Sequence, residues 1–366
     1  MFSSVYQNKK VLITGNTGFK GSWLTAWLLK LGADVTGISK DIPTKPSMFE
    51  ELSLTGKINH IQGDVKDLSL MQKVINDIQP DFIFHLAAQA IVSTSYSDPV
   101  ETMSTNIIGT MNVLEVLRNY QLPCIAVMIT SDKCYDNVEW IWGYKETDNV
   151  GGKDVYSGSK GGAELVIKSY FHSFFQKKHP VRIGIGRAGN VIGGGDWAQD
   201  RIVVDCMKAW SDGKSVEIRS PKATRPWQHV LEPLSGYLAL GSAIAKDNKL
   251  HGEAFNFGPK AEQNHTVVEL LEDLAQHWGL DSVDKAYKIT ANIPFHEAGL
   301  LKLNCDKALF NLKWCSTLVY PETVKMVSDW YLSYYKKRGD LFDLTLSQID
   351  EYEKKANERN ALWAQK

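Results

Sequence analysis

The stretch Val11-Leu12-Ile13-Thr14-Gly15-Asn16-Thr17-Gly18-Phe19-Lys20-Gly21 joins a short apolar run to three glycines and then to a helix-forming segment. A chain that turns tightly between a strand and a helix cannot carry side chains at its closest approaches. The free N–H groups at the start of the helix attract phosphate. The stretch therefore predicts a dinucleotide-binding turn. An ordinary strand–helix turn is the alternative, because glycines at this spacing are a weak signal alone.

Strand-like and helix-like runs alternate outward from this turn. The predicted strands cover 11–14, 34–38, 58–62, 82–86, 125–130 and 181–186, and the predicted helices cover 22–31, 68–78, 100–118 and 155–175. Such alternation is typical of parallel strands with right-handed crossovers and helices on both faces. The predicted fold class is α/β, a doubly wound parallel sheet (Rossmann-like) whose ligands bind beyond the carboxyl ends of the strands.

The alternation stops after Arg187, where a glycine loop and several prolines interrupt the pattern. We predict a dinucleotide-binding domain made of residues 1–189 plus about 228–258. A smaller mixed α/β lobe for the substrate is predicted at about 190–227 plus 259–332. Residues 333–366 are charge-rich and are predicted to form a C-terminal helical tail.

Composition excludes several classes of protein. The chain has 366 residues and a formal net charge of −1, so it lacks the overall basic field of a nucleic-acid-binding protein. Its five cysteines form no CxxC pair, which argues against a metal site and favours a reducing compartment. The first ten residues lack a signal-peptide layout, and no apolar run is long enough for a membrane span. A cytoplasmic enzyme is expected.

A tyrosine and a lysine stand one helical turn apart at Tyr156 and Lys160, downstream of Ser131 at the end of the fifth predicted strand. An ammonium beside a phenol lowers its pKa from about 10 toward the working pH. A serine hydroxyl can hold the oxygen that is oxidised. The group predicts oxidation of a secondary alcohol by a nicotinamide cofactor, and a surface Tyr–Lys pair is the alternative.

Asp132 and Lys133 directly follow Ser131. A carboxyl group and an amine at a strand end suit a second proton transfer, which simple alcohol oxidation does not need. A turn held by an aspartate and followed by an exposed lysine explains the same residues equally well.

The predicted cofactor site combines the glycine turn with the ends of the next strands. NAD is the expected cofactor, and NADP stays open because Ser39-Lys40 stands where a carboxylate would repel a 2′-phosphate. Asp64 borders the adenine or is a plain turn residue. The predicted cofactor-binding residues are Gly15, Thr17, Gly18, Phe19, Lys20, Gly21, Ser39, Lys40, Asp64, Val65, Leu86, Ala87, Ala88, Tyr156 and Lys160.

Longer strings of residues resemble the extended short-chain dehydrogenase/reductase superfamily, and within it the nucleotide-sugar 4,6-dehydratases, most closely the CDP-glucose group. They are Gly18–Leu24, Thr130–Asn137, Gly189–Trp197, Arg225–Leu234 and Phe255–Pro259. The resemblance implies that NAD takes hydride from carbon 4 of the sugar and returns it to carbon 6 after water is lost. The product is a 4-keto-6-deoxy sugar. A 4-epimerase, a reductase, or a dehydratase of a GDP- or dTDP-sugar is the alternative.

The same resemblance implies a role for each catalytic residue. Tyr156 takes the 4-hydroxyl proton, Lys160 holds the ribose and tunes Tyr156, and Ser131 hydrogen-bonds the 4-oxygen. Asp132 matches the family's acid. Lys133 stands where related dTDP- and GDP-sugar enzymes have a glutamate base, so it would have to act as a neutral amine.

Substrate binding is also taken from the resemblance. Asn190, Arg219 and Arg225 match the residues that contact the nucleotide diphosphate, and Glu297 is expected to face the sugar. For Arg219 a surface strand charge is the alternative. Helices 100–118 and 155–175 match those that form a homodimer.

Two residues depart from the usual pattern of the CDP-glucose group, which has His where Asn16 stands and Arg where Ser93 stands. Trp140–Tyr144 is either a lid over the sugar or a packed aromatic loop.

Overall fold

The computed structural model describes residues 1–218, 220–260, 262–290 and 300–365. Arg219 and Glu297, two of the predicted substrate-binding residues, lie outside the described residues. The strands are β1 (Lys10–Thr14), β2 (Asp34–Ser39), β3 (Asn59–Gln62), β4 (Phe82–His85), β5 (Cys124–Ile129), β6 (Val181–Ala188), β7 (Val191–Ile192), β8 (Val216–Ile218), β9 (Thr224–Arg225), β10 (Gln228–His229), β11 (Ala254–Phe257), β12 (His265–Thr266) and β13 (Tyr287–Ile289).

The helices alternate with the strands in the first half and cluster in the second. The α-helices are α1 (Phe19–Lys30), α2 (Met48–Glu51), α3 (Leu68–Ile78), α4 (Val92–Ser97), α5 (Pro99–Met103), α6 (Gly109–Asn119), α7 (Val155–Tyr170), α8 (Ile202–Ser211), α9 (Leu231–Lys246), α10 (Val267–Trp278), α11 (Val283–Ala286), α12 (Asp306–Leu312), α13 (Tyr320–Tyr335) and α14 (Leu341–Glu358). A π-helical segment, Ser104–Ile108, joins α5 to α6, and a second, Phe171–Phe175, extends α7.

Seven of the strands in the described part of the chain form one parallel sheet, in the order β11-β6-β5-β4-β1-β2-β3. Chain order reverses between β1 and β4, where Thr14 pairs with His85 at the carboxyl ends. A crevice opens at such a reversal, and ligands of doubly wound sheets bind there. The predicted fold class is confirmed.

Side chains of the sheet are buried on both faces. Val11 and Ile13 pack into the apolar cluster that contains α1 and α9, whereas Leu12 between them packs into the cluster that contains α3 and α6. This alternation follows from the two-residue period of a strand. It explains why the strands read as continuous apolar runs, as buried parallel strands do.

The chain after β6 adds three small pairs of strands. β7 pairs with β10 and β8 pairs with β13, both in parallel, and β9 pairs with β12 in the antiparallel sense. The segment returns to the main sheet through α9 and β11, within the predicted stretch 228–258. None of the helices in the described part of the chain combines the length and apolarity needed to cross a membrane.

The C-terminal segment is not a separate tail. The α14 helix packs on α1, where Glu353 accepts hydrogen bonds from Trp27 Nε1 (2.8 Å) and Lys30 Nζ (2.5 Å). The ring of Trp363 stacks on the ring of Phe2, with centroids 4.9 Å apart. The charged composition of 333–366 therefore describes only the exposed face of a helix whose other face is buried.

Glu232, in the first turn of α9, is a buried carboxyl group that fastens the C-terminal segment. It accepts hydrogen bonds from Leu318 N (2.6 Å), Thr317 N (2.8 Å) and Tyr352 Oη (2.8 Å). Burial raises the pKa of Glu232 from 4.5 to about 7, against the hydrogen bonds that lower it. The folded protein therefore binds this proton more tightly than the unfolded chain does.

The Glu232→Gln variant is expected to lose part of the pH dependence of stability. A raised pKa in the folded state contributes stability below pH 4.5, and that contribution is lost as pH rises through about 7. The melting temperature of the wild type should therefore fall between pH 5 and 8 more steeply than that of the variant, since an amide does not titrate. Thermal melts across this range test it, with exposed Glu262→Gln as the control. Equal slopes in wild type and Glu232→Gln would contradict the expectation.

Candidate active site

The glycine turn approaches the neighbouring strand end more closely than any side chain permits. Gly15 has φ +76°, and a Cβ added there would lie 2.8 Å from the backbone N of Ala87. A Cβ on Gly21 would lie 2.1 Å from the carbonyl oxygen of Gly15. The turn therefore packs α1 against the switch point between β1 and β4, beside Leu86, Ala87 and Ala88.

The first turn of α1 is built to receive an anion. Gly18 caps the helix without a side-chain hydrogen bond, so the first backbone N–H groups keep their donor capacity. Together with the helix dipole they suit the diphosphate of a dinucleotide. Phe19 and Lys20 follow on the same turn and are half-buried. The glycines leave open the space in front of these N–H groups, which Cβ atoms would fill. The residues of the turn therefore fit NAD, the predicted cofactor.

The Gly21→Ala variant is expected to bind NAD about 10- to 100-fold more weakly. The new Cβ would collide with the Gly15 carbonyl, and opening an overpacked site costs roughly 1–3 kcal/mol. Gly56→Ala is the matched control, because a Cβ there meets nothing within 4 Å. Calorimetric titration with NAD measures both affinities. Unchanged affinity in Gly21→Ala would show that the turn does not hold the diphosphate.

Ser39, at the end of β2, holds the turn with its side chain. Its hydroxyl donates to Asn16 Oδ1 (2.8 Å) and accepts from Thr17 N (3.2 Å). Asn16 is buried and also contacts His60 Nδ1 through Nδ2 (3.2 Å). At the departure Asn16, the side chain is thus buried and contacts a half-buried histidine from β3.

Lys40 and Asp64 belong to a partly exposed charge network at the same edge. Lys40 and Lys66 both pair with Glu101 (3.0 and 2.5 Å) and both approach Asp64 (3.7 and 3.6 Å). Asp64 also holds its own turn by accepting from Lys66 N (2.9 Å). Both interpretations of Asp64 are compatible with this arrangement. Val65 is buried against Gly109.

The predicted catalytic residues meet at the carboxyl end of β5. Ser131 Oγ donates to Asp132 Oδ1 (2.9 Å), and the same hydroxyl lies near enough to Tyr156 to lower the pKa of the phenol. Tyr156 lies in the first turn of α7, which begins because Asp154 accepts from Ser157 N (2.9 Å). The structure brings Ser131 and Asp132 into contact, and their catalytic roles stay predictions. Lys133 is half-buried beside them.

The pKa of Tyr156 corrects one expectation. Burial raises it to about 12, which outweighs the lowering by the Ser131 hydrogen bond and by the charge of Arg201. Burial also lowers the pKa of Lys160 to about 8. The tyrosine–lysine spacing alone does not bring the phenol to working pH, because both groups lose their water. Burial likewise raises the pKa of Asp132, which suits a proton donor.

Lys160 is backed by a buried ion pair that sequence reasoning missed. Glu164, one turn after Lys160, receives two bonds of 2.8 Å from Arg187 Nε and Nη2 of β6. Arg187 Nη1 also donates to Tyr135 Oη (2.8 Å), which in turn donates to Asn256 Oδ1 (2.7 Å). The network ties α7 to β6, to β11 and to the segment after Asp132.

Two glycines inside α7 pack closely against other segments, which accounts for residues that are costly inside a helix. A Cβ on Gly161 would lie 2.8 Å from the Gly151 carbonyl oxygen, and one on Gly162 would lie 2.6 Å from Ile107 Cδ1. Both contacts are with segments of this chain.

Two charged groups near the predicted Lys20, Arg201 and Asp196, extend the predicted set. Burial lowers the pKa of Lys20 to about 8, with Arg201 adding to the effect and Asp132 and Asp196 opposing it. Arg201 and Asp196 come from the loop that follows β7, whose Gly194 carbonyl accepts from Trp23 Nε1 of α1 (2.9 Å). The Gly189–Trp197 string contains Asp196 without a role for it, and Arg201 lies outside the string and had no sequence signal.

The remaining substrate predictions fall at the edge of the same site. Asn190 is half-buried directly after Gly189, where an added Cβ would lie 3.0 Å from Asp132 Oδ2. Arg225 in β9 is half-buried and donates from Nη1 to Thr224 O (2.9 Å). Ser93, the second departure from the CDP-glucose pattern, donates from Oγ to Asp200 Oδ2 (2.5 Å). This bond links α4 to the loop before Arg201.

The aromatic loop is packed on one side and exposed on the other, and its role as a lid stays a prediction. The ring of Trp140 packs against that of Tyr144 with centroids 5.2 Å apart, whereas Ile141 and Trp142 are 67% and 69% exposed. Tyr144 anchors the loop by accepting from Val138 N (2.7 Å).

Comparisons with known proteins agree with this geometry. Residues 12–327 match the family described as GDP-mannose 4,6 dehydratase. The CDP-glucose 4,6-dehydratase of Salmonella typhimurium is 41% identical over 351 residues, which are 95% of this chain and 97% of that protein. The epimerase Mth375 from Methanothermobacter thermautotrophicus superimposes with a TM-score of 0.78 at 22% identity, over 92% of this chain and 97% of that one. DesIV, a dTDP-glucose 4,6-dehydratase from Streptomyces venezuelae with NAD and TYD bound, gives 0.76 at 20% identity, over 91% and 99%.

Proposed function

Because the chain belongs to the GDP-mannose 4,6 dehydratase family, we propose that it dehydrates a nucleotide-diphosphate hexose, CDP-glucose, to the 4-keto-6-deoxy sugar. The observation that carries this proposal is Ser131, Asp132 and Tyr156 meeting beside the glycine turn. An alcohol-oxidising group and a buried acid in one site suit oxidation followed by loss of water. Full-length similarity to a CDP-glucose enzyme supports the choice of nucleotide.

The cofactor is NAD, in line with the prediction and with DesIV, which has NAD bound. Gly15, Gly18 and Gly21 would hold its diphosphate at the start of α1, and Lys160 would hold the ribose beside Tyr156. When bound, NAD accepts hydride from carbon 4 and returns it to carbon 6.

The first proton transfer falls to Tyr156. Its phenol would take the 4-hydroxyl proton, and the nearby Ser131 hydroxyl would contact the 4-oxygen of the sugar. Because burial holds the pKa of Tyr156 at about 12, positive charge in the assembled site must offset it before the phenol acts as a base. Arg201 already lowers this pKa.

The elimination of water falls to Asp132 and Lys133. Asp132 stays protonated more readily than an exposed carboxyl, because burial raises its pKa. It would protonate the leaving 6-hydroxyl. Lys133, half-buried on the next position, is proposed as the base that takes the proton from carbon 5. The base would then be a lysine in the CDP-glucose group and a glutamate in the related dTDP- and GDP-sugar enzymes.

A product assay tests the activity. The protein is incubated with CDP-glucose and NAD, and the 4-keto-6-deoxy product is detected by its absorbance in alkali and by mass spectrometry. GDP-, UDP- and dTDP-glucose serve as alternative substrates. Absence of product from all four nucleotide sugars would contradict the proposal. Inversion at carbon 4 without loss of water would establish an epimerase instead.

A homodimer is proposed from two neighbouring helices. Val100 and Ile108 are 74% and 41% exposed at and after α5, and Leu165 and Phe174 are 55% and 43% exposed along α7 and its extension. Apolar side chains in these numbers suit a contact between two copies. Light scattering on the purified protein measures its mass.

We also propose a cytoplasmic location and a division of labour between two lobes. Its five cysteines are free in the structure, which suits a reducing compartment. Residues 1–189 and 228–258 would bind NAD, and residues 190–227 and 259–332 would bind the nucleotide sugar. Cell fractionation and ligand-protected proteolysis test these two statements.

A further inference from the structure

A small cavity lies behind Asp132, between the carboxyl edge of the sheet and the segment after residue 300. Asp132, Gly189, Gln228, Gly258 and Lys302 are among its lining residues. Its volume is about 10 Å³ for the centre of a water-sized sphere. That is roughly the room that one water molecule needs, provided that polar groups are there to hold it.

Asp132 presents one carboxyl oxygen to this region. Its Oδ1 is engaged by Ser131 Oγ (2.9 Å), whereas its Oδ2 lies beside Gly189. A Cβ at residue 189 would come within 3.0 Å of Oδ2. Glycine there keeps the second oxygen uncovered on the side of the cavity.

Gln228 supplies the other polar group. It is 2% exposed, and among the described residues its Oε1 has no hydrogen-bond partner. Its Nε2 donates only over 3.4 Å, to the carbonyl oxygen of Phe257. A buried amide oxygen without a partner costs roughly 1–3 kcal/mol, so an acceptor of this kind is expected to hold a water or a ligand hydroxyl.

We propose that this cavity is a one-water site and that it receives the water released in the dehydration, with Gln228 as the residue that positions it. The inference rests on the proposed dehydratase function. The base removes the carbon 5 proton, and the electron pair forms a double bond between carbons 5 and 6. The bond from carbon 6 to its oxygen breaks, and that oxygen takes the proton of Asp132 and departs as water. Asp132 becomes a carboxylate, and Gln228 Oε1 accepts one hydrogen bond from the water.

Gln228→Met tests this, because methionine keeps the length of the side chain and removes its acceptor. Oxidation at carbon 4 precedes the loss of water, so only the later step should slow. We expect kcat to fall about tenfold, corresponding to about 1.4 kcal/mol, with KM unchanged. Reduced nicotinamide should then accumulate during turnover of CDP-glucose and be visible by its near-ultraviolet absorbance. A crystal structure of the enzyme trapped after turnover should show an ordered water beside Asp132 in the wild type and none in the variant.

Gln348→Met is the matched control. Gln348 is also buried, and its Oε1 also lacks a partner among the described residues, but it lies on α14 and bonds Met326 O (2.8 Å). It should leave kcat and the nicotinamide signal unchanged. Gln228→Glu is the second variant, in case Gln228→Met does not fold. It keeps an acceptor and adds a charge that raises the pKa of Asp132, so the pH profile should shift upward.

The outcomes separate the two proposals. Wild-type kcat in Gln228→Met without accumulation of reduced nicotinamide, or an unshifted pH profile in Gln228→Glu, would overturn the water site alone. Absence of product from the wild type would overturn both the function and the site.

Discussion

Tyr156→Phe is expected to lower kcat by about 10²- to 10⁴-fold, the range in which a positioned acid–base group acts. The variant loses the group that takes the 4-hydroxyl proton, so oxidation at carbon 4 should fail. No reduced nicotinamide should appear when CDP-glucose is added. The fold should be retained, because phenylalanine keeps the buried ring of residue 156 and the substitution removes only its hydroxyl.

Tyr120→Phe is the control for this prediction. Its hydroxyl is also buried and, among the described residues, has no hydrogen-bond partner, but it lies at the end of α6. Stopped-flow absorbance and product assays compare the three proteins, and NAD content is measured for each. If Tyr156→Phe kept wild-type turnover, the base would have to be another group.

Arg187→Met is expected to destabilise the protein by about 3–5 kcal/mol. The substitution leaves the carboxylate of Glu164 buried without its two bonds from the guanidinium, and an uncompensated buried charge has a cost of this size. Both side chains are nearly inaccessible, at 6% and 4% exposure. Chemical denaturation monitored by tryptophan fluorescence measures the change.

The double variant Arg187→Met/Glu164→Leu removes the whole ion pair, whereas the single variant leaves the Glu164 charge without its partner. Comparing them separates these two effects. Replacing both members with apolar residues should recover part of the lost stability, because no buried charge remains. Lys325→Met, which breaks the exposed pair with Asp329, is the control and should change stability by less than about 1 kcal/mol. A single variant as stable as this control would contradict the assigned role of the pair.

The sheet and its cofactor turn were predictable from sequence because their signals are local. Buried parallel strands read as apolar runs, and Gly15 and Gly21 stand where a side chain would collide with backbone. The meeting of Ser131, Asp132 and Tyr156 followed from one rule, that the carboxyl ends of parallel strands share an edge.

Other features depend on packing that no short window of sequence records. Glu164 and Arg187 lie on different elements, and only the packing of α7 on β6 brings them together. The pKa of Tyr156 is set by burial, which spacing does not reveal. The charged composition of α14 did not reveal its buried face, which carries Ile349 and Tyr352.

The contact of α14 with α1 has a consequence for how the protein is made. Trp27 and Phe2 leave the ribosome early, whereas Tyr352 and Trp363, on which they pack, are synthesised more than three hundred residues later. Until then α1, the helix proposed to receive the cofactor diphosphate, exposes aromatic side chains that the C-terminal segment later covers. The surface around Phe2 and Trp27 is therefore completed only when the last residues of the chain have been made.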